Sequence, residues 1–262
     1  MISMMKQPHL AICLTFAAAL LFLSSGPVSS AQNGNLTAED ILNNVDDLYR
    51  GTSSDGVMTM EIVTENWSRT LALEFWSKGE DKSLIKILAP KKEAGTATLR
   101  VGNDIWNFLP KVNRTIKIPS SMMSQSWMGS HFTNDDLVRE SRMADDYDFT
   151  ITFQGLRDGV DVIEITCLPK PEAAIVWGKV ILTVTANDHI PREMLYYDED
   201  LALVRTMTFS DIQTIGERKI PMKMVVVPTD KPNESTTVVY SKITFDLGID
   251  DSFFSLRNLE SS

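Results

Sequence analysis

The feature that most constrains the fold of this chain is a period-two alternation of apolar and polar residues, repeated in about a dozen short runs. Such alternation is typical of strands with one buried face, and turn residues separate the runs at the spacing of β-hairpins. We therefore predict an antiparallel meander. A sheet of this size must curl or be covered, because long open edges promote aggregation. The runs are Met58–Ile62, Leu71–Phe75, Ser83–Ala89, Thr96–Val101, Ile105–Leu109, Tyr147–Phe153, Val160–Leu168, Lys179–Thr185, Arg192–Tyr197, Leu203–Phe209, Met222–Val227 and Thr237–Phe245.

The N-terminal residues 1–31 have the pattern of a cleaved signal peptide. Lys6 precedes an apolar run from Leu10 to Leu23, and small residues follow it. This run is shorter than the stretch of about 20 residues that a membrane-spanning helix needs. No linker or internal repeat divides residues 32–262, so we predict that they form a single domain.

The net charge limits which classes of partner the chain can bind, and the number of cysteines limits what can stabilise its fold. The chain has a formal net charge of −10, which disfavours nucleic acid and anionic membrane surfaces as partners. Cys167 is the one cysteine outside the predicted signal peptide, so it has no partner for an intramolecular disulfide. Its place within "IEITCLP" predicts a small buried residue in a strand. Folding must then depend on a hydrophobic core.

Helices are predicted next to the sheet. The segment "LTAEDILNNVDDLYRG" predicts a helix from Thr37 to Arg50, with an acid three positions after its N-cap and a glycine as its stop. The segment "TNDDLVRE" predicts a short helix capped by Thr133 or Asn134. The C-terminal "DDSFFSLRNLE" predicts a last short helix that turns Phe253 and Phe254 inward.

Residues suited to catalysis are few and poorly arranged. Outside the predicted signal peptide the histidines are His131 and His189, and neither has a partner at the spacing of a metal site. His131 lies among serines and acids in "GSHFTNDD", but sequence neighbours do not form a nucleophile and base, and no "GxSxG" segment is present. We predict no metal, no cofactor and no enzyme activity. The alternative, an enzyme, would lose its turnover when His131 is changed.

The segment "IPSSMMSQSWMGSHFTNDDL", from Ile118 to Leu137, combines methionine, tryptophan and phenylalanine without a clear period. Large apolar residues are usually core residues, so one interpretation is that the segment closes one end of the core. Methionine is flexible, however, and suits a surface that repacks around ligands of variable shape. The second interpretation is a lid, from Met123 to Leu137, over an apolar ligand.

Several segments together resemble the LolA-like family of outer-membrane lipoprotein-sorting proteins. They are "LTAEDIL", "ILAPKKEAGTATLRVGNDIWNFLPKVNRTIKIP", "SSMMSQSWMGSHFTNDDL", "PEAAIVWGKVILTV", "IPREMLYYD" and "DDSFF". The resemblance covers nearly all of residues 32–262 and is strongest to the branch associated with RND/MMPL-type exporters. It implies a mainly β fold with a few helices: a large antiparallel unclosed β-barrel, or curved sheet, of about eleven strands, with helices covering the concave opening.

The resemblance also implies a function. Proteins of this family are periplasmic and hold the acyl chains of a lipoprotein or lipid in a hydrophobic cavity, moving them between membranes. The implied partners are those acyl chains, an inner-membrane RND/MMPL-type transporter and an outer-membrane acceptor. The alternative is a lipid sensor or accessory subunit of such an exporter, which uses the same cavity without transport.

We assign the ligand-binding positions to alternating strand residues and to the methionine-rich segment. If the second strand is shifted by one residue, Ala72 and Trp76 replace its members, because such a slip exchanges the two faces. Arg69 and Arg100 are the candidates for a strand arginine that the resemblance implies. The predicted ligand-binding residues of the cavity and lid are Leu71, Leu73, Phe75, Trp106, Phe108, Met122, Met123, Trp127, Met128 and Phe132.

Overall fold

The structure is a computed structural model in which residues 36–134, 136, 143–173 and 175–261 are described. The predicted signal peptide lies outside this part of the chain, as does most of the helix predicted in "TNDDLVRE". Within these ranges, no helix combines the length and apolar character needed to span a membrane.

Most of the described chain is β-structure, with short helices before, within and after the sheet. The strands are β1 (Ser53–Val63), β2 (Ser68–Lys78), β3 (Lys82–Ala89), β4 (Ala97–Val101), β5 (Asp104–Leu109), β6 (Arg114–Lys117), β7 (Tyr147–Arg157), β8 (Val160–Pro169), β9 (Lys179–Thr185), β10 (Pro191–Tyr197), β11 (Leu203–Ile215), β12 (Arg218–Pro228) and β13 (Ser235–Phe245). The helices are α1 (Ala38–Asp46), α2 (Met143–Asp146) and α3 (Leu256–Glu260), and 3₁₀ turns lie at Pro110–Val112, Ser120–Met122 and Asp251–Phe253.

The strands form one antiparallel sheet in the order β6-β5-β4-β3-β2-β1-β13-β12-β11-β10-β9-β8-β7. Two meanders therefore meet where β1 pairs with β13. The outermost strands, β6 and β7, are not paired with each other, so the sheet does not close. Every predicted run overlaps one of these strands, which confirms the mainly β, unclosed fold. The described sheet has 13 strands and not the eleven or so that the resemblance implied. No predicted run covers β6, which is short and lacks buried residues.

The two faces of the sheet are covered by different elements. On the face that we call inner, α1 packs its fully buried Ile41 and Leu42 against β8, β9 and β10, while Trp127 packs against β1 and β2. On the outer face, α3 and the turn before it place Leu259 and Phe254 against β3, β4 and β5. The two C-terminal phenylalanines, Phe253 and Phe254, therefore pack against the sheet as predicted, and the face that they cover is the outer one.

Helix α1 begins as predicted but ends early. The Thr37 hydroxyl accepts the N–H of Asp40 at 3.1 Å, and the N–H of Thr37 donates to the Asp40 carboxylate at 2.9 Å, which forms a capping box. The helix stops at Asp46 and not at Arg50, because the chain turns to direct Tyr49 inward. There the Tyr49 hydroxyl donates to the carbonyl of Pro221 at 2.6 Å.

Candidate functional site

A cavity of about 350 Å³ lies between the inner face, α1 and residues 118–134, which we call the covering loop. Its volume falls within the range of about 300–1,000 Å³ that is typical of small-molecule sites. Strands from both halves of the sheet line it, so it lies along the middle of the inner face.

The wall of the cavity is rich in flexible and aromatic side chains. Phe75 and Tyr196 contribute rings from opposite halves of the sheet. Burial raises the pKa of Tyr196 to about 12, so its hydroxyl stays neutral at physiological pH. Thioether side chains can repack around chains of different shape. The methionines that line the cavity are Met58, Met60, Met143, Met194, Met207 and Met224.

Gly56 gives one of these rings its space. A Cβ atom at this position would lie 2.6 Å from the ring of Phe75, which is too close for unbonded carbon atoms. The absence of a side chain therefore lets Phe75 lie over the β1 backbone and form part of the wall.

Hydrogen bonds within the covering loop hold it in a compact turn. The N–H of Trp127 donates to the carbonyl of Phe132 at 2.8 Å, and the Ser130 hydroxyl donates to the carbonyl of Trp127 at 2.7 Å. The indole N–H of Trp127 donates to the hydroxyl of Thr98 on β4 at 3.1 Å. The turn thereby presents both aromatic side chains to the cavity.

A buried ion pair joins β11 to the segment that follows the covering loop. Nη1 and Nη2 of Arg205 donate to the two carboxylate oxygens of Asp136 at 2.7 and 2.6 Å, and Nη1 also donates to the carbonyl of His131 at 2.9 Å. The guanidinium lies between two rings, 4.4 Å from the centroid of Trp177 and 4.2 Å from that of Tyr196. Burial alone would lower the pKa of Arg205, but the Asp136 carboxylate raises it, so the charge is retained.

His131 fixes the covering loop to β13 and to the turn before it. Its Nδ1 lies 2.8 Å from Oγ1 of Thr236, and its Nε2 lies 3.2 Å from a carboxylate oxygen of Glu234. The backbone N–H of His131 donates to the same threonine hydroxyl at 3.0 Å. The hydrogen bond from His131 holds the pKa of Glu234 below its usual value. These partners give His131 an anchoring role, and the hydroxyl of its neighbour Ser130 donates to the carbonyl of Trp127.

A row of polar side chains crosses the inner face at one end of the cavity. Ser54 pairs with Ser77, Ser77 with Ser83, and Ser83 with Arg100, in register across β1 to β4. Ser77 and Ser83 line the cavity together with Arg50, which is 7% exposed. The row could not be predicted from the sequence, because each member is a single polar residue and only the register of four strands brings them together.

Phe75, Trp127 and Phe132 are the predicted ligand-binding residues that line the cavity. Leu71 and Leu73 face the same side as Phe75 but are fully buried in the core below the wall. Their role in binding a ligand stays a prediction. In the structure they pack beneath the side chains that line the cavity.

The alternative register of β2, with Ala72 and Trp76 inward, is not observed. Trp76 packs on the outer face, where its ring centroid lies 5.3 Å from that of Phe253. It also borders one end of the cavity.

Trp106 and Phe108 lie on the outer face of β5 and not in the cavity, which corrects their predicted position. Phe108 belongs to the cluster under α3, with Trp106 packed against it. Between them on the strand, Asn107 faces inward, where its Oδ1 accepts a hydrogen bond from the Thr98 hydroxyl at 2.7 Å. Apolar alternation alone cannot distinguish the two faces when both are covered.

The methionines of the covering loop do not line the cavity, which corrects the prediction for Met122, Met123 and Met128. The carbonyl of Met122 accepts the side-chain N–H of Asn134 at 2.9 Å within the loop. Met128 packs against the core, and its carbonyl accepts a hydrogen bond from Arg69. The methionines of the cavity wall come instead from the strands and α2.

An acid of the segment over the cavity, Asp136, pairs with a strand arginine, but the ion pair described for Arg69 and the hydrogen bond described for Arg100 are with other segments. Arg69 lies 3.6 Å from Glu93, and Arg100 donates to the carbonyl of Glu80 at 2.7 Å. Arg205 makes that pairing, and sequence reasoning missed it. The sequence does contain a sign that Arg205 is unusual. In the alternation of β11, the buried Arg205 occupies the same face as the buried Met207, where an apolar residue is expected.

The described residues contain no group of three or more histidine, cysteine, aspartate or glutamate side chains that could hold a metal ion. Cys167 is fully buried on β8, and burial raises the pKa of its thiol to about 12. The prediction of a small buried residue is therefore confirmed for Cys167.

Three solved structures share this fold over nearly their whole length. A domain described as that of an outer membrane lipoprotein-sorting protein from Vibrio parahaemolyticus has a TM-score of 0.76 and 23% identity, covering 85% of this chain and 98% of that one. A DUF1329 family protein from Desulfovibrio piger has a TM-score of 0.77 and 24% identity, covering 84% and 97%. A LolA superfamily protein from Nitrosomonas europaea has a TM-score of 0.73 and 21% identity, covering 85% and 99%. They confirm the fold that the family resemblance implied.

Comparison with family models and curated proteins gives one match. A family model described as "-like: Uncharacterized protein" matches residues 79–261. No curated protein matches the chain.

Proposed function

Because this chain belongs to the family whose model matches residues 79–261 and has the fold of LolA-superfamily and lipoprotein-sorting proteins, we propose that it is a periplasmic carrier of acyl chains. The observation that supports this proposal is the apolar cavity between the inner face, α1 and the covering loop. The chains would belong to a lipid or a lipoprotein. An inner-membrane RND/MMPL-type transporter as donor and an outer-membrane acceptor complete the proposal.

The energetics of burial fit such a role. Each buried methylene stabilises the complex by ~0.8 kcal/mol, so a ten-carbon chain contributes on the order of 8 kcal/mol before the costs of ordering the ligand and moving the loop. A bilayer offers the same chain a comparable gain. Net movement between membranes therefore requires a donor that does work or an acceptor that binds more strongly.

The proposed entry route is separation of the covering loop from the sheet. Trp127 and Phe132 would leave the cavity as the bonds of His131 and the ion pair of Asp136 with Arg205 break. These polar contacts hold the covering loop over the cavity but do not occupy the cavity itself. The free energy gained when a ligand occupies the cavity would compensate for the loss of these contacts.

Native mass spectrometry of the protein purified from the periplasm, followed by lipid extraction, tests this proposal. We expect a co-purifying acyl lipid or lipoprotein that Met224→Trp displaces, because Met224 lies in the cavity wall and contacts both inner-face clusters. Met123→Trp is the matched control, since Met123 does not line the cavity. A ligand-free mass with no uptake from added vesicles would contradict the carrier proposal.

Release distinguishes the carrier from the alternative of a sensor or accessory subunit. A carrier transfers its bound lipid to acceptor vesicles, and fluorescence of a labelled acyl chain measures the transfer. Stable retention of the lipid in the presence of acceptor vesicles would favour the non-transporting alternative.

A further inference from the structure

Exposed apolar and basic side chains meet at one end of strands β1 to β6. We propose that this end docks on the surface of a bilayer that contains anionic phospholipid. It consists of residues 64–69, 88–96 and 110–114, which we call the docking surface. The inference rests on the proposed function, because a carrier of acyl chains must meet a membrane to load or release them, and it adds the surface that makes this contact.

The topology brings the three parts of the docking surface together. In a meander of antiparallel strands, every second turn lies at the same end of the sheet, and β1 to β6 follow one another in this way. Trp67 of the β1–β2 turn lines one surface pocket with Pro90 and Lys92 of the β3–β4 connection. A Cβ atom on Gly95 of that connection would lie 3.4 Å from Pro110 of the β5–β6 turn. The three turns therefore form a continuous surface.

Trp67 is the main apolar group of the docking surface. Of the five tryptophans in the chain it is the most exposed, at 43%. The N–H of Thr64 donates to the carbonyl of Trp67 at 2.9 Å, and the N–H of Trp67 donates to the Thr64 hydroxyl at 3.2 Å, so a closed turn presents the ring. Leu88 and Val112 are also exposed. Tryptophan is enriched at membrane–water interfaces, and clustered exposed apolar residues are typical of interaction surfaces.

The docking surface is basic, whereas the whole chain has a formal net charge of −10. Its acids are Glu65 and Glu93, and Glu93 lies 3.6 Å from Arg69. With five cations and two acids, the docking surface has a net charge of +3. Within the described ranges of the chain, the four exposed cations form no ion pair. The exposed cations are Lys91, Lys92, Lys111 and Arg114.

The acids of neighbouring turns do not cancel this local charge. In the adjacent β12–β13 turn, Glu234 lies 3.8 Å from Lys231. The acidic turn at residues 198–200 is four strands further along the sheet, which corresponds to about 19 Å. At physiological salt, exposed charges more than about 8 Å apart are largely screened. The net charge of the chain therefore disfavours an anionic membrane as a general partner, but the local charge favours one at the docking surface.

Each part of the docking surface combines an apolar residue with basic ones. In a bilayer, apolar side chains enter the boundary between head groups and acyl chains, while ammonium and guanidinium groups stay at the phosphates. An acidic protein would need the cations alone, so the combination favours a lipid surface. The apolar residues and their basic neighbours are Trp67 with Arg69, Leu88 with Lys91 and Lys92, and Val112 with Lys111 and Arg114.

The docking surface adjoins the covering loop. A Cβ atom on Gly129 of the loop would lie 3.8 Å from the Trp67 ring, and Arg69 donates to the carbonyl of Met128. The guanidinium of Arg69 also lies 5.3 Å from the centroid of the Trp67 ring. Trp67 and Arg69 thus contact the segment whose separation from the sheet is the proposed entry route. A membrane bound here lies beside the part of the protein that must move.

Flotation of the periplasmic protein with lipid vesicles tests the docking surface. We expect it to bind vesicles of equal parts phosphatidylcholine and phosphatidylglycerol at least about tenfold more tightly than phosphatidylcholine alone, with the difference lost at high salt. Each lysine near an anionic surface contributes about fivefold in affinity, so Lys91→Glu/Lys92→Glu should weaken binding by at least about twentyfold. The matched control is Lys223→Glu/Lys242→Glu, which gives the chain the same net charge and changes lysines exposed on β12 and β13. It should weaken binding by less than about threefold.

The apolar contribution is measured in the same assay. Trp67→Ser should weaken vesicle binding by about tenfold, because the ring no longer leaves water. Leu201→Ser changes an exposed apolar residue next to the acidic turn and should leave vesicle binding unchanged. Vesicles with brominated acyl chains should quench the tryptophan fluorescence of the wild type, and Trp67→Phe should remove this quenching.

The possible results separate this inference from the proposed function. Equal binding of both vesicle types, or equal losses in the two double variants, overturns the docking surface. If the wild type still carries an acyl ligand in native mass spectrometry, the carrier proposal then stands alone. Selective vesicle binding by a protein that takes up no acyl chain supports the docking surface and contradicts the carrier proposal. If Lys91→Glu/Lys92→Glu does not fold, the comparison of Trp67→Ser with Leu201→Ser decides the outcome.

Discussion

Asp136→Asn should destabilise the protein far more than the loss of a surface charge would. Arg205 is 3% exposed, and removing the carboxylate leaves its guanidinium buried without a counter-charge. Breaking a buried ion pair in this way costs about 3–5 kcal/mol. The hydrogen bond to the carbonyl of His131 and the contacts with the flanking rings remain, so we expect a loss of about 3 kcal/mol. Urea unfolding at neutral pH, followed by circular dichroism and tryptophan fluorescence, measures it.

Two further variants make this prediction specific. Asp104 pairs with Lys117 at 2.8 Å, but the side chains are 46% and 56% exposed, so Asp104→Asn should cost less than about 1 kcal/mol. The double variant Asp136→Leu/Arg205→Met removes both charges and should recover most of the lost stability. If Asp136→Asn costs no more than Asp104→Asn, the segment is not held by the buried pair and the reasoning is refuted.

Three other predictions concern the wall, the thiol and the loop anchor. Gly56→Ala should lower the free energy of unfolding by about 1–3 kcal/mol, because the added methyl group would clash with the backbone carbonyl of Lys242 and with the Phe75 ring; an unchanged urea midpoint would contradict it. The Cys167 thiol, whose pKa burial raises to about 12, should resist labelling by a thiol reagent at pH 8 until the protein unfolds, so rapid labelling of the native protein would show it to be accessible. Because the hydrogen bond from His131 holds the pKa of Glu234 below its ordinary 4.5, the carboxylate stabilises the fold above that pH, and this contribution disappears as the pH falls through the lower native value. His131→Ala should therefore weaken the loss of stability below pH 4.5, and an identical acid profile in both proteins would argue against the contact.

The strands and the inward face of β2 could be predicted because their signals are local. Period-two alternation located the runs, and it set the inward face of β2 correctly at Leu71, Leu73 and Phe75. The same alternation failed for Trp106 and Phe108, because β5 is covered on its outer face by α3. That packing partner lies about 150 residues later in the chain, and no local pattern reports it.

The side chains that complete the site depend on contacts between distant segments. A cluster of methionines in the covering loop suggested a flexible apolar wall, and the wall is indeed rich in methionine, but its members are spread over strands and α2. Asp136 and Arg205 are 69 residues apart. The row from Ser54 to Arg100 exists only through the register of four strands. Each was visible in the sequence as a polar residue without an assigned partner.

A crystal structure of the protein with 10-bromodecanoate tests the central claim most directly, because anomalous scattering locates the bromine at the end of the chain. We predict one bromine site inside the cavity, in the part bordered by Phe75, Trp127 and Tyr196. Bromine found only on the outer surface, with the cavity unchanged at saturating ligand, would contradict the claim that this cavity binds acyl chains.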